Sequence, residues 1–305
     1  MEKINISKYI IINENYEDEN KIFSLITLPN NNFASSSEDK TIKIFSQKTF
    51  ECILTLSGHT KLVNSISNIS KNRIISGSRD QTIKIWSFNI EKKYFNCDKT
   101  FFGHLGEIHK VIEIEKKEGN FISTSQDKTL RIWNEISNQC TLIINIINDN
   151  IWGVINISNN RICFGSEFKE KEFYFFNINN CEIVYKLEFC VPGNNALKKI
   201  NDKLIAIGTY EKIIILNVYN YEIEKILFDE GIDYYWCVYL LSDNSLICSN
   251  SNKKLSQWDL ERGEKISELN VPNDVSSIIE INQKIIVTCA WNEIIIFWGI
   301  GTEIF

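Results

Sequence analysis

The chain has 305 residues, 44% hydrophobic and 12% aromatic, enough to bury a sizeable core, and its 24% of charged residues is ordinary for a globular protein. A formal net charge of −6 argues against a general nucleic-acid or anionic-membrane surface, which needs an excess of Lys and Arg. Nine cysteines, never spaced C-x-x-C, argue against a disulfide framework or a Cys-rich zinc site and fit a reducing cytosol or nucleus.

At the N-terminus, "MEKINISKYIIINENYEDEN" lacks a basic region followed by a long apolar run and a cleavage site, so no signal peptide is read. Its "YIIIN" is too short to cross a bilayer, and no run elsewhere approaches about 20 apolar residues. The run "INISKYIII" reads as a first strand and the acidic "NENYEDEN" as a solvated linker leading to "KIFSLITL".

From there one sentence recurs: "SSSEDKTIKIF" at 35–45, "SGSRDQTIKIW" at 76–86 and "STSQDKTLRIW" at 123–133. The bulky residues that end the apolar half of each unit are Phe45, Trp86, Trp133, Phe176, Leu216, Trp258 and Trp298, at intervals of 41, 47, 43, 40, 42 and 40 residues. Unit four, "RICFGSEFKEKEFYFF", carries two extra residues in its turn. Each unit holds four short β-rich runs, here called a to d, and no helical period of comparable length. In unit two these are "VNSISNI", "RIISGS", "TIKIWSF" and "KTFF". Four strands at a period near 40 predict an all-β fold of seven propeller blades.

At this point the chain resembles the WD-repeat propeller family. The carrying residues are Gly58-His59 leading to Asp80 and Trp86, and Gly103-His104 leading to Asp127 and Trp133. Five degenerate units stay in phase; only Trp258-Asp259 keeps the Trp-Asp dipeptide, and units four to seven lack Gly-His. Only seven residues follow Trp298, too few for a complete d strand; the resemblance implies that the N-terminal strand completes the last blade, and a truncated C-terminus is the competing explanation. The expectation is a single domain, 1–305, with four antiparallel strands per blade and no unpaired edges at its seam.

The resemblance also implies two hydrogen-bonded sets, His59, Ser76, Asp80 and Trp86 in blade two, and His104, Ser123, Asp127 and Trp133 in blade three. The chemistry is sound, since a buried carboxylate needs donors that imidazole N–H, hydroxyl and turn amides supply. Ser, His and Asp together also evoke a hydrolase triad. A catalytic set is expected once, however, and this one occurs twice in phase with a structural repeat.

Three Trp do not end a c strand: Trp152, Trp236 and Trp291. Alignment of the units puts Trp152 and Trp236 in the slot of Asn64, at the start of strand a, and Trp291 in the slot of Arg79, before the b–c turn. In the family both slots face the top surface, which makes Trp152, Trp236, Trp291, Tyr234, Arg79, Asn64, His109 and Phe23 candidate partner-binding residues, with Glu107, Asn150 and Asp274 nearby. Rigid, amphipathic aromatics suit an interface, whereas channel plugging or packing between blades is the structural alternative. The opposite rim carries long connections, "SFNIEKKYFNCDK" in blade two and "EIEKKEGN" in blade three, read as solvated loops.

The only histidines are His59, His104 and His109. Two are claimed by the blades, and His109 is expected to be an exposed polar residue, so no metal site and no catalytic residue is assigned. No cofactor is expected, and no glycine-rich phosphate loop is present. The Phe/Leu-Arg-Arg-Gly motif of phosphoinositide-binding propellers is missing, and "WDLERG" puts Arg262 one place too far for the Trp-Asp-x-Arg ending of ubiquitin-ligase receptors. The reading is a non-catalytic scaffold, cytoplasmic or nuclear, that presents its top face to a protein or peptide within a complex, with a small molecule not favoured. The alternatives are a structural subunit packed through blade edges and an enzyme with a central-channel site lined by Asp, Arg and His.

Overall fold

The computed structural model describes residues 6, 9–15, 20–28, 32–70, 72–115, 119–145, 149–158, 160–166, 171–282, 285–290 and 294–300. They form seven four-stranded antiparallel sheets, each ordered a-b-c-d in the chain except the last. The a strands, Ile22–Thr27, Val63–Ser70, Ile108–Glu113, Ile151–Ser158, Leu197–Lys199, Tyr235–Leu240 and Val275–Asn282, contact their neighbours in turn, and the last meets the first. The ring is therefore closed, and the molecule is a seven-bladed β-propeller. Blade seven takes its d strand from the N-terminal side: Tyr9–Asn15 pairs antiparallel with Ile295–Ile300, with Asn13–Asn15 of the acidic run inside the strand. Nearby, the Ile6 amide donates to Gln257 Oε1 at 3.1 Å, and Ile6 is buried between blades six and seven.

Burial follows from the two faces of each blade. Seven hydrophobic clusters bridge the seven pairs of adjacent blades. The bulky c-strand residue of one blade packs on the sheet before it: Trp86 lies among Ile42, Ile44 and Leu56 of blade one, and Phe33, Phe45 and Phe297 pack across the seam between blades seven and one. Because both faces of the middle strands are covered, they read as apolar runs; all five residues of Ile213–Asn217 are buried. At the outer edge the d strand Gln139–Ile144 alternates between exposed and covered positions, whereas Glu182–Glu188 is exposed almost throughout.

In the repeated sentence, Ser78 Oγ accepts from the Asp80 amide at 3.0 Å, and Asp80 Oδ1 accepts from the Thr82 amide at 2.9 Å. Ser125, Asp127 and Thr129 repeat the arrangement, as do Ser37, Asp39 and Thr41 in blade one. The residue after each Asp is left-handed: Lys40, Gln81 and Lys128 have φ of 73, 70 and 66°. An Asp side chain mimicking a backbone turn makes that conformation tolerable.

One connection differs from its sequence reading. In blade two the c strand runs to Asn89 and the d strand starts at Tyr94, so the additional residues lengthen a hairpin instead of forming a solvated loop. Residues 116–118 of the blade-three connection and 167–170 of the blade-four insertion lie outside the described residues.

Candidate binding site at the channel mouth

The second residue of the a strand builds the site in six of the seven blades. In six blades the pairing register slips at that residue, between Ile22/Ser24, Val63/Ser65, Ile108/Lys110, Ile151/Gly153, Tyr235/Cys237 and Val275/Ser277. A β-bulge frees one residue from the ladder and re-aims its side chain. The six bulged residues are Phe23, Asn64, His109, Trp152, Trp236 and Ser276, and all six line one cavity of about 220 Å³. Arg79 and Glu107 complete its rim, paired Nε to Oε2 at 2.7 Å.

Blade five has a short a strand with no slip. Its place is taken by the segment that precedes it, "CVPGNN" at 190–195, of which Pro192–Asn195 line the cavity. This segment plugs the channel. Asn195 Nδ2 donates to the Ser276 carbonyl at 2.8 Å, and Asn195 Oδ1 accepts from Lys110 Nζ at 2.7 Å. The Asn195 carbonyl accepts from the Val238 amide at 2.9 Å. One asparagine thus ties blades three, six and seven to the entry of blade five. Gly193 allows the close approach, since a Cβ there would stand 3.0 Å from the Trp236 carbonyl oxygen. Beneath the plug, burial lowers Lys110 to about 8, helped by the neighbouring charge of Lys198, and burial also lowers Lys198, which lies 4.4 Å over the Tyr239 ring.

His109 is only 3% exposed, which corrects the expectation of an exposed polar residue. The bulge turns its ring inward, flat against Trp152 with centroids 4.2 Å apart and planes 14° apart. Burial, with the charges of Arg79 and His104 adding to it, pulls its pKa down to about 4, so it is neutral at physiological pH. Trp152 and Trp236 are half-buried, and Tyr234 leans on Trp236 at 4.6 Å. Asn150 and Asp274 do not line this cavity, and burial raises the Asp274 carboxyl against the opposing pull of Lys253. Trp291 lies outside the described residues.

The repeated polar sets lie inside blades two and three. His59 Nδ1 is 2.8 Å from Asp80 Oδ2, His59 Nε2 is 2.7 Å from Ser76 Oγ, and Trp86 Nε1 donates to Ser76 Oγ at 2.8 Å. The matching distances in blade three are 2.8 Å for His104–Asp127, 2.6 Å for His104–Ser123 and 2.8 Å for Trp133–Ser123. With the indole N–H already on it, the serine hydroxyl is placed to donate to Nε2. That leaves a neutral imidazole whose Nδ1–H faces the carboxylate. Burial accordingly lowers both histidines, only partly offset by their aspartates. Burial raises both carboxyls, but the imidazole, the Thr82 or Thr129 hydroxyl and a backbone amide outweigh it and hold them well below the usual carboxylate range. Gly58 and Gly103, with φ of 149 and 145°, sit over the tryptophan rings; a Cβ on Gly58 would meet Trp86 at 3.1 Å.

The WD domain, G-beta repeat family matches residues 13–46, 50–87 and 95–134, the segments that hold these sets and the first repeated sentence. Three matched repeats therefore stand inside a closed ring of seven blades. The chain carries three WD repeats in a seven-bladed ring. Among curated proteins it is similar to "Nuclear distribution protein nudF" of Aspergillus niger, 33% identical over 112 residues, and of Emericella nidulans, 38% identical over 112 residues. In each case the match takes in 36% of this chain and 25% of the relative. "p21-activated protein kinase-interacting protein 1-like" of Xenopus laevis is 26% identical over 201 residues, 63% of this chain and 51% of that one. The matched part of the chain thus spans a quarter of the first two relatives and about half of the third.

Sequence alignment found five of the six bulged positions but missed what unites them. Ser276 and the Pro192–Asn195 plug gave no signal beyond a Pro-Gly-Asn-Asn turn composition. Phe102 and Leu105, 73% and 82% exposed, flank Gly103-His104 on the connection that leads to His109; two apolar residues beside a Gly-His pair were their only cue. Among the described residues no group of three or more His, Cys, Asp and Glu is arranged to hold a metal ion, and no helix is long and apolar enough to cross a membrane.

Proposed function

We propose that this WD-repeat propeller is a non-catalytic scaffold whose top face holds a protein or peptide partner at the channel mouth. The observation that carries the reading is the ring of bulges, which gathers Phe23, His109, Trp152 and Trp236 around one cavity. A bulge costs ladder pairing, and six of them spent on the same position build a surface that the blades themselves do not need. Exposed Phe102 and Leu105 extend the apolar area outward. One relative is named for interaction with a protein kinase, which is in keeping with a protein partner. The test is an affinity pull-down from source lysate with wild type and a Trp152→Ala/Trp236→Ala variant of matched folding. The variant is expected to lose a defined set of proteins; retrieval of the same set by both baits overturns the reading.

A second reading has its own observation. The d strands of blades four and five expose Ile183, Val184, Tyr185, Ile223 and Ile226, with Phe228 following at 63% exposure. A subunit packed through that edge would retain its partners in the Trp variant and lose them on Ile183→Lys/Ile226→Lys.

A further inference from the structure

The cavity leaves polar atoms unmatched in a specific way. Among the described residues, Nδ1 and Nε2 of His109, Nε1 of Trp152 and Oδ1 of Asn194 are buried without a hydrogen-bond partner, and all three residues line the cavity. The Asn194 amide is fixed in orientation, because its Nδ2 donates to the His109 carbonyl at 2.7 Å, which leaves the oxygen free. A neutral imidazole offers one N–H and one lone pair. The cavity therefore presents two donors, from His109 and Trp152, and two acceptors, from His109 and Asn194. Buried polar atoms left in this state are costly, which makes the set a template for its complement.

We infer that the cavity recognises a side-chain carboxamide, the glutamine or asparagine of a peptide partner; this rests on the top-face reading above. A carboxamide carries two N–H donors and an oxygen with two lone pairs, matching the set on both sides. A carboxylate only accepts and would orphan Asn194 Oδ1 and the imidazole lone pair. An ammonium or guanidinium only donates and would orphan the indole N–H. Among the described residues that line the cavity, the only charges are Arg79 and Glu107, which neutralise each other at 2.7 Å and favour neither. Below the plug, Lys110 and Lys198 disfavour a further cation. Trp152, stacked on His109, and Trp236 offer flat faces to a planar amide. At about 220 Å³ the space is on the scale of one side chain, below the roughly 300–1,000 Å³ of cofactor and drug pockets.

The test pans a phage-displayed random heptapeptide library on the full chain and measures the selected peptides by fluorescence anisotropy against wild type, Trp152→Ala/Trp236→Ala and His109→Phe. Melting curves first confirm that the variants fold. The expected result is a fixed Gln or Asn in the selected peptides, with Gln→Glu or Asn→Asp in the synthetic peptide weakening binding about ten- to hundred-fold. His109→Phe keeps a stacked ring and removes both nitrogens while Asn194 Oδ1 stays, so it should narrow the preference for the amide over the acid peptide without abolishing it. Selected peptides anchored by Lys, Arg, Asp, Glu or an apolar residue, and lost on the double Trp variant, overturn the carboxamide assignment and leave the top face standing. Peptides held equally by the double variant, or a library that yields no binder, overturn both.

Discussion

Asp80 and Asp127 each anchor a His-Ser-Trp chain and a tight turn from one carboxylate. Asp80 Oδ2 faces His59 and the Thr60 amide, while Oδ1 takes the Thr82 amide and hydroxyl. Asp80→Asn removes the charge and turns an acceptor into a donor, so it should cost about 2 kcal/mol in urea unfolding. Asp127→Asn should cost the same, and the double variant should show the sum, because the two sets share no partner. The histidines set a pH signature. His59, His104 and His109 all have lowered values in the fold, whereas an unfolded histidine titrates near 6.5. The unfolded chain therefore takes up protons first, and stability declines as pH falls below 6.5. For His109 the loss accumulates down to about 4 and amounts to roughly 3 kcal/mol if solvent remains excluded. The depressed aspartates protonate in the unfolded chain near 3.8 and add a second loss below that pH. Unfolding of His109→Phe should be flatter between pH 6 and 4 than that of wild type; equal slopes would refute the buried neutral imidazole. These polar sets were legible because the motif that carries them is short and local. The burial of His109 was not, since no pattern in "GEIHKVIE" signals a register slip.

Among elements, the Cys190–Asn195 segment is the least expected, and Asn195 alone joins it to blades three, six and seven. Asn195→Ala removes its bonds to Lys110 Nζ and the Ser276 carbonyl and should destabilise the propeller by about 2–3 kcal/mol, measured by chemical unfolding. Gly193→Ala forces the plug away from the Trp236 carbonyl. It should shift the Trp236 indole resonance in NMR spectra even where the melting temperature changes little. A sequence can announce a strand by alternation and a turn by composition, but a connection that dives into a channel looks like any other loop. Two partners of the Asn195 side chain are more than eighty residues away, Ser276 by 81 and Lys110 by 85. The strands of blades two and three were readable to within a few residues. The long d strand from Tyr94 was cut short because "YFNCDK" is too polar to read as one; it is an outer edge facing water.

For the molecule as a ring, the count of seven was readable from one periodic residue per unit. Closure was implied by the family likeness and is seen in the pairing of Tyr9–Asn15 with Ile295–Ile300. That seam is held by backbone bonds of one strand and by the cluster of Phe33, Phe45 and Phe297. Deletion of residues 1–15 leaves Ile295–Ile300 as a bare edge and should yield a protein that melts earlier and scatters light on heating, where the full chain does not. A deleted protein with an unchanged melting curve would show that the remaining blades close without this strand.

The six bulges have a consequence for how this surface can change. Each bulged residue is excused from the alternation that commits its neighbours to one sheet face or the other. Phe, Asn, His, Trp, Trp and Ser occupy the same position in six blades whose cores are otherwise alike. The mouth is thus a row of six positions on a fixed frame: a lineage can rewrite the side chains shown there, one blade at a time, without renegotiating the alternation that commits the rest of each strand.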